Sequence, residues 1–207
     1  MKKTTHTKNT VYILLFFIGL IWSGISPHDR FTWILEVFPA MIGFVILLLT
    51  YKKFTFTSLT YCLALIHCCI LFIGGHYTYA EVPLFDWLKD LLHQDRNNYD
   101  KVGHFAQGFI PAIIVRELFI RKNVIQQKGW LPFLIVSTCI TISVLYEFLE
   151  WMVAELSGQS AESFLGTQGY VWDTQSDMLY AACGSILAIA ILSKMHQKQI
   201  DELITPN

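Results

Sequence analysis

Asp100 and His104 stand four residues apart, a spacing that puts both side chains on one face of a helix. Glu147 and Glu150 are three apart, and Asp173 and Asp177 are again four apart. His76 stands alone, with Tyr77, Tyr79 and Glu81 just beyond it. Carboxylate oxygens with one or two imidazoles are ligands for magnesium, manganese or zinc. Zinc fits least well, because no cysteine accompanies the set. Such an ion would activate water against a phosphorylated or lipid-linked substrate. Asp100, His104, Glu147, Glu150, Asp173, Asp177 and His76 are therefore the candidate metal ligands, and Glu147, His104 and Asp100 the candidate catalytic groups. The chain carries no nucleophile motif and no Gly-rich phosphate loop.

Each residue also has a plainer reading. An aspartate at a helix start is favoured by capping and by the macrodipole, which alone would account for Asp100 and Asp173. Lys101 would reach for headgroups. His67 beside Cys68 and Cys69 suggests a metal, but successive helical positions point apart, so it reads as a hydrogen-bonded core histidine. Glu147 resists this treatment. It lies one turn inside a C-terminal helix end, where the dipole disfavours an anion, and Glu150 is beside it. Two acids there call for a cation or a shared proton.

The elements that hold these residues are dictated by hydropathy. Of the 207 residues 54% are hydrophobic and only 15% charged, and the charges are bunched between long apolar runs. A soluble core helix is rarely apolar on every face, so the runs imply lipid. Six spans are predicted, over 10–25, 31–50, 56–76, 100–120, 130–152 and 174–193, in a single integral membrane domain covering 1–207. The fold class is an all-α, polytopic transmembrane bundle. Pro39 and Pro111 fall inside spans, where embedded helices tolerate a kink. The lysine-rich start followed by an apolar run mimics a secretory signal without a small-x-small cleavage site, and reads as a retained first span. All five cysteines lie in apolar stretches, which argues against a disulfide framework. A net charge of -1 offers no basic field for nucleic acid.

Basic residues set the orientation. With both termini cytoplasmic, Lys2, Lys3, Lys8, Lys52, Lys53, Arg116, Arg121, Lys122, Lys128, Lys194 and Lys198 fall inside, against Arg30, Lys89, Arg96 and Lys101 outside. At ~1.5 Å of rise per residue, Glu147 lies about 4 Å short of the outer boundary, and His104 and Asp177 each ~6 Å below it. Four helices thus offer acids and imidazoles at one depth. Between spans three and four, Leu84, Leu88, Leu91 and Leu92 recur at helical spacing and predict a short interfacial helix. Between spans five and six, Ser157 to Trp172 contains Gly158, Gly166 and Gly169 and reads as a folded outer loop.

Four stretches carry a resemblance. Gly75-His76-Tyr77-Thr78-Tyr79, Tyr99-Asp100-Lys101-Val102-Gly103-His104-Phe105, Tyr146-Glu147 with Glu150-Trp151, and Trp172-Asp173-Thr174-Gln175-Ser176-Asp177 resemble the bacterial inner-membrane family typified by YjdF. The resemblance implies a polytopic inner-membrane protein and supplies no particular activity. The chain is also similar, more distantly, to VanZ-like membrane proteins linked to glycopeptide tolerance, through Asp100, Lys101, His104, Phe105, Glu147, Asp177 and Gly184. It departs from that pattern at Ala181, where asparagine is usual, and at Glu150, where glutamine is frequent.

Two functions are in view: an outward-facing site acting on an envelope or lipid-linked substrate, and a non-catalytic membrane protein whose polar cluster ties helices or docks a partner. A transporter ranks last, because transport sites favour the midplane and the inner half of each span looks nearly free of ionisable groups.

Overall fold

The computed structural model describes residues 2–157 and 167–205; of the predicted outer loop, Gly158 and Gly166 lie outside the described residues. The described residues form seven α-helices and no strand. They are α1 (Lys2–Gly24), α2 (Arg30–Thr50), α3 (Ser58–Tyr77), α4 (Pro83–Leu91), α5 (Tyr99–Arg121), α6 (Leu131–Ser157) and α7 (Asp173–Ile204), with a 3-10 turn at Lys128–Trp130. Each predicted span is matched by one of the six long helices. Four stretches are long and apolar enough to cross a membrane, namely Arg30–Thr50, Ser58–Tyr77, Lys128–Leu156 and Asp173–Ile204, and Thr10–Gly24 is a shorter apolar helix.

α5 is the exception, and its position explains why. It packs against α3, α6 and α7 at once, and more than half of its residues are buried, including Asp100, Lys101, His104, Arg116 and Glu117. A helix lined by its own bundle can carry polar groups that a lipid-facing helix cannot. Pro39 and Pro111 sit inside continuous helices, and all five cysteines are unpaired, as the sequence predicts.

The bundle has two apolar centres. Phe16, Val37, Ala40 and Phe72 join α1, α2 and α3, with the Phe16 and Phe44 rings stacked at 4.3 Å. Ala112, Ile113, Val115, Ile135, Cys139 and Ala188 join α5, α6 and α7, with Leu59 and Leu63 of α3 packed against them. Between the helix ends, α5 and α7 touch backbone to backbone. A Cβ on Gly108 would overlap the Ala181 carbonyl, and one on Gly184 would overlap the Phe105 carbonyl. Small residues are what let two embedded helices approach so closely.

The C-terminal end of α5 is fixed by a buried polar knot. Glu117, fully buried, accepts bonds from Thr57 N (3.0 Å), Thr57 Oγ1 (2.9 Å), Thr60 Oγ1 (2.7 Å), Arg121 Nη1 (2.7 Å) and His196 Nε2 (3.1 Å). His196 Nδ1 lies 3.2 Å from Arg116 Nη1. A guanidinium only donates, so Nδ1 accepts and Nε2 carries the proton given to Glu117. His196 thus joins an arginine of α5 to a glutamate of the same helix. This knot ties α3, α5 and α7 together.

Asp29 caps α2, its carboxylate accepting from Thr32 N at 2.6 Å. That bond holds the Asp29 carboxyl below the usual carboxylate range. A lowered value means stability present above the unfolded pKa and lost as pH falls through the folded one. Asp29→Ala is expected to remove ~1 kcal/mol at neutral pH and nothing in strong acid. Thermal unfolding in detergent across the acid range checks both parts.

Candidate functional site

The polar cluster forms where the N-terminal turns of α5 and α7 meet the C-terminal half of α6. Asp100 and His104 occupy one face of α5, as their spacing predicts, with His104 Nε2 3.2 Å from Asp100 Oδ1. Asp177 joins from α7, its Oδ1 3.9 Å from the same nitrogen. One ligand atom each from Asp100, His104 and Asp177 lies within 4.8 Å of the others, close enough for one metal ion. Glu147 approaches from α6, with Oε1 3.7 Å from His104 Nδ1. That oxygen is buried and has no hydrogen-bond partner among the described residues, while the Thr174 side chain faces the same carboxylate. Asp100, His104, Glu147, Glu150, Asp173 and Asp177 are all at most 9% exposed, so solvent does little to screen them.

Lys101 departs from the expectation of a headgroup-reaching side chain. It turns inward, with Nζ 2.5 Å from Asp173, 2.6 Å from Asp177 and 3.4 Å from Asp100. Buried there, it supplies the counter-charge without which the three buried carboxylates would be left uncompensated. Arg96 adds a second charge, 2.6 Å from Asp173 and 3.5 Å from Asp100. Asp173 is therefore held by two cations, and it is not the cap of α7, whose N-cap position is Trp172. Asp100 is likewise inside α5, in its first turn and two residues after the N-cap position Asn98, which makes no side-chain cap bond.

The segment before α7 covers these cations. The Tyr170 ring stands 5.6 Å from the Arg96 guanidinium carbon and 5.8 Å from Lys101 Nζ. Gln168 clasps Asn97 in both directions, accepting from its N at 2.9 Å and donating to its O at 2.8 Å. Asn97 in turn bonds Val82 O and Asp86 of α4, which joins the amphipathic helix to the mouth of the cluster. Leu84, Trp87, Leu91 and Leu92 of α4 and its C-terminal edge are exposed, the arrangement expected of a helix resting at an interface.

His76 lies elsewhere. Its Nδ1 is 3.0 Å from Ser23 O and its ring stacks on Trp22 at 4.8 Å, a tie between α3 and α1. Sequence reasoning missed two features. Glu36 of α2 is 4% exposed and faces this cluster, with the Tyr146 hydroxyl 3.4 Å from its Oε2. A single acid in an apolar run carries no spacing signal, so nothing marked it. The Glu117 knot was hidden for another reason: its neighbours Arg116 and Arg121 make the stretch read as a membrane boundary. Against the expectation that one half of each span is nearly free of ionisable groups, Arg116 and Glu117 lie buried within the predicted span 100–120, and buried His196 joins them from just beyond the predicted end of the last span.

A family profile described as "Predicted membrane protein (DUF2238)" matches residues 8–198, which includes every residue of the cluster. The chain belongs to this family. It is also similar to the inner membrane protein YjdF of Escherichia coli (strain K12), with 42% identity over 93% of this chain and 91% of that one. The resemblance seen in the sequence motifs is therefore shown, and membership in a family of membrane proteins with it. No solved structure matches the chain.

Proposed function

We propose that the cluster is an extracytoplasmic, metal-capable site that acts on an envelope or lipid-linked substrate. In this reading the chain is one integral domain of six spans with both termini cytoplasmic, seated in a bacterial inner membrane. Asp100, His104 and Asp177 hold a divalent ion, and Glu147 supplies a further ligand or the acid-base group. The observation that carries the reading is the unbonded Glu147 Oε1, buried and directed at His104 beside three groups that fit one ion. Leaving such an oxygen unpaired costs about 1–3 kcal/mol, which an ion or an activated water would offset. Hard oxygens with one imidazole favour magnesium or manganese over zinc. An ion held there would act as a Lewis acid and lower the pKa of bound water.

Metal analysis of the purified chain tests this. The parent is expected to retain a divalent ion after dialysis, and Glu147→Ala to hold it more weakly. A parent that comes through metal-free, and stays so when offered magnesium or manganese, removes the reading.

One observation favours the non-catalytic alternative. Lys101 Nζ, 2.5 and 2.6 Å from Asp173 and Asp177, already neutralises part of the acidic set without any ion. Under that alternative His104→Ala and Glu147→Ala lower thermal stability and no turnover depends on either.

A further inference from the structure

The two nitrogens of His104 face different neighbours. Nε2 is turned to the aspartates, 3.2 Å from Asp100 Oδ1 and 3.9 Å from Asp177 Oδ1. An ion held by Asp100, His104 and Asp177 takes the lone pair of that nitrogen, so the ring proton must sit on Nδ1. His104 is buried, and a buried N–H without an acceptor is costly. Two oxygens face Nδ1. Gln107 Oε1 is 3.2 Å away, within hydrogen-bond reach, and Glu147 Oε1 is 3.7 Å away, beyond it.

Local structure explains why Gln107 is in place. It stands three residues after His104 on α5, the spacing at which side chains on neighbouring turns meet. Side chains of a helix lean toward its N-terminus, so a glutamine one turn further along reaches back to the histidine before it. Gly108, the next residue, rests against the Ala181 carbonyl, and that backbone contact holds α5 at this turn. The His104 ring is met edge-on by Tyr146 of α6, with centroids 6.2 Å apart, which restrains its plane. A glutamine in a span ordinarily ties one helix to another. Gln107 instead bonds within its own helix, to the one ring nitrogen that the aspartates do not face.

We infer that Gln107 is a positioning residue of the site: its Oε1 accepts the Nδ1 proton of His104, which presents an unprotonated Nε2 to an ion between Asp100 and Asp177. The inference rests on the proposed metal-capable function and adds to it the group that sets the tautomer of the histidine. Ligating histidines commonly give their second N–H to a carbonyl or carboxylate, which fixes the ring and makes the ligating nitrogen more basic. Without such an acceptor, Asp100 Oδ1 would draw the proton to Nε2 and close the nitrogen to metal. The arrangement also leaves Glu147 free. Its Oε1 lies on the Nδ1 side of the ring, outside the group of ligand atoms that fits one ion, and with the ring proton given to Gln107 it stays open to acid-base work.

Manganese binding by the chelator-stripped chain in detergent tests the inference, with pulsed magnetic resonance on protein carrying isotope-labelled histidine to detect a ring nitrogen bound to the ion. The parent is expected to bind manganese with a nitrogen coupling that His104→Gln abolishes. Gln107→Met, of similar length but with no acceptor oxygen, should weaken binding by ~10–100-fold and lose most of the coupling. Gln107→Glu, whose ionised side chain only accepts, should restore both. A thermal melt of each variant establishes that it is folded. If Gln107→Met does not fold, Gln107→Glu still decides: it should bind at least as tightly as the parent with the coupling intact, and weaker binding overturns the inference. A folded Gln107→Met that keeps the parent's affinity and coupling overturns the positioning role and leaves the triad standing. A loss that Gln107→Glu does not restore does the same, since it marks packing rather than a hydrogen bond. A parent that binds no manganese overturns both the inference and the metal-capable reading.

Discussion

Lys101→Met should be among the most damaging single changes to this chain in the absence of metal, and the damage should shrink when a divalent cation is supplied. The lysine is 7% exposed and touches three carboxylates, so its removal leaves Asp173 to Arg96 and takes from Asp177 the one lysine or arginine that pairs with it among the described residues. Breaking a buried ion pair from one side costs ~3–5 kcal/mol, because the partner charge remains without compensation. Methionine keeps the length and flexibility of the side chain, so packing changes little and the effect reports charge. A ligand that binds only the folded state restores stability in proportion to its concentration over its dissociation constant. Melting the parent and the variant in detergent, with chelator and with manganese, measures both terms. The upward shift produced by manganese should be larger in Lys101→Met than in the parent, since the ion then meets three acids with no competitor. Equal shifts would mean that Lys101 and the ion do not share carboxylates, which would break the link between the ion-pair network and the site.

The same lysine shows where the sequence stops being informative. The six long helices were legible because lipid demands continuous apolar runs, and the faces of Asp100 with His104, and of Glu147 with Glu150, follow from helical spacing. Their common level could be estimated from rise per residue. Direction of a long side chain could not, because Lys101 at a helix start satisfies the same pattern whether it reaches outward to headgroups or inward to Asp177. Three-dimensional neighbours decide it, and they come from 72 and 76 residues further along the chain. Glu36 was invisible for the complementary reason: it is one acid within an apolar helix, and its meaning comes from Tyr146, 110 residues away. His76 is the converse case, a residue singled out by type whose contacts in the fold are with Ser23 and Trp22 of α1. α5 has the least apolar sequence of the expected spans because it is the helix the others surround, and Arg116 and Glu117 read as boundary charges only when its neighbours are unknown.

The Glu117 knot yields the second large effect, and it separates stability from the site. Glu117→Leu removes the acceptor for Thr57, Thr60, Arg121 and His196 together, and every one of those donors is at the buried end of α5 or beside it. The expected loss is ~3–5 kcal/mol, as for a buried pair broken from one side. Leucine fits the volume, so the loss should exceed that of the double variant Glu117→Leu with His196→Leu, in which the imidazole no longer seeks a partner. The metal-capable cluster should be indifferent to either change. His104 and Glu117 are thirteen positions apart on α5, about 20 Å along its axis, and the close contacts of Gly108 with Ala181 and of Gly184 with Phe105 lie between them. Those backbone contacts fix α5 on α7 independently of the knot. Whatever fraction of Glu117→Leu remains folded at low temperature should therefore bind manganese with the parent's stoichiometry and within a few fold of its affinity. A melt together with a titration on the same sample distinguishes the cases: a lower melting temperature with unchanged binding marks the knot as a clamp at the C-terminal end of α5. Loss of binding in protein that is still folded would show that the two ends of α5 move as one, and that the knot sets the geometry of the site.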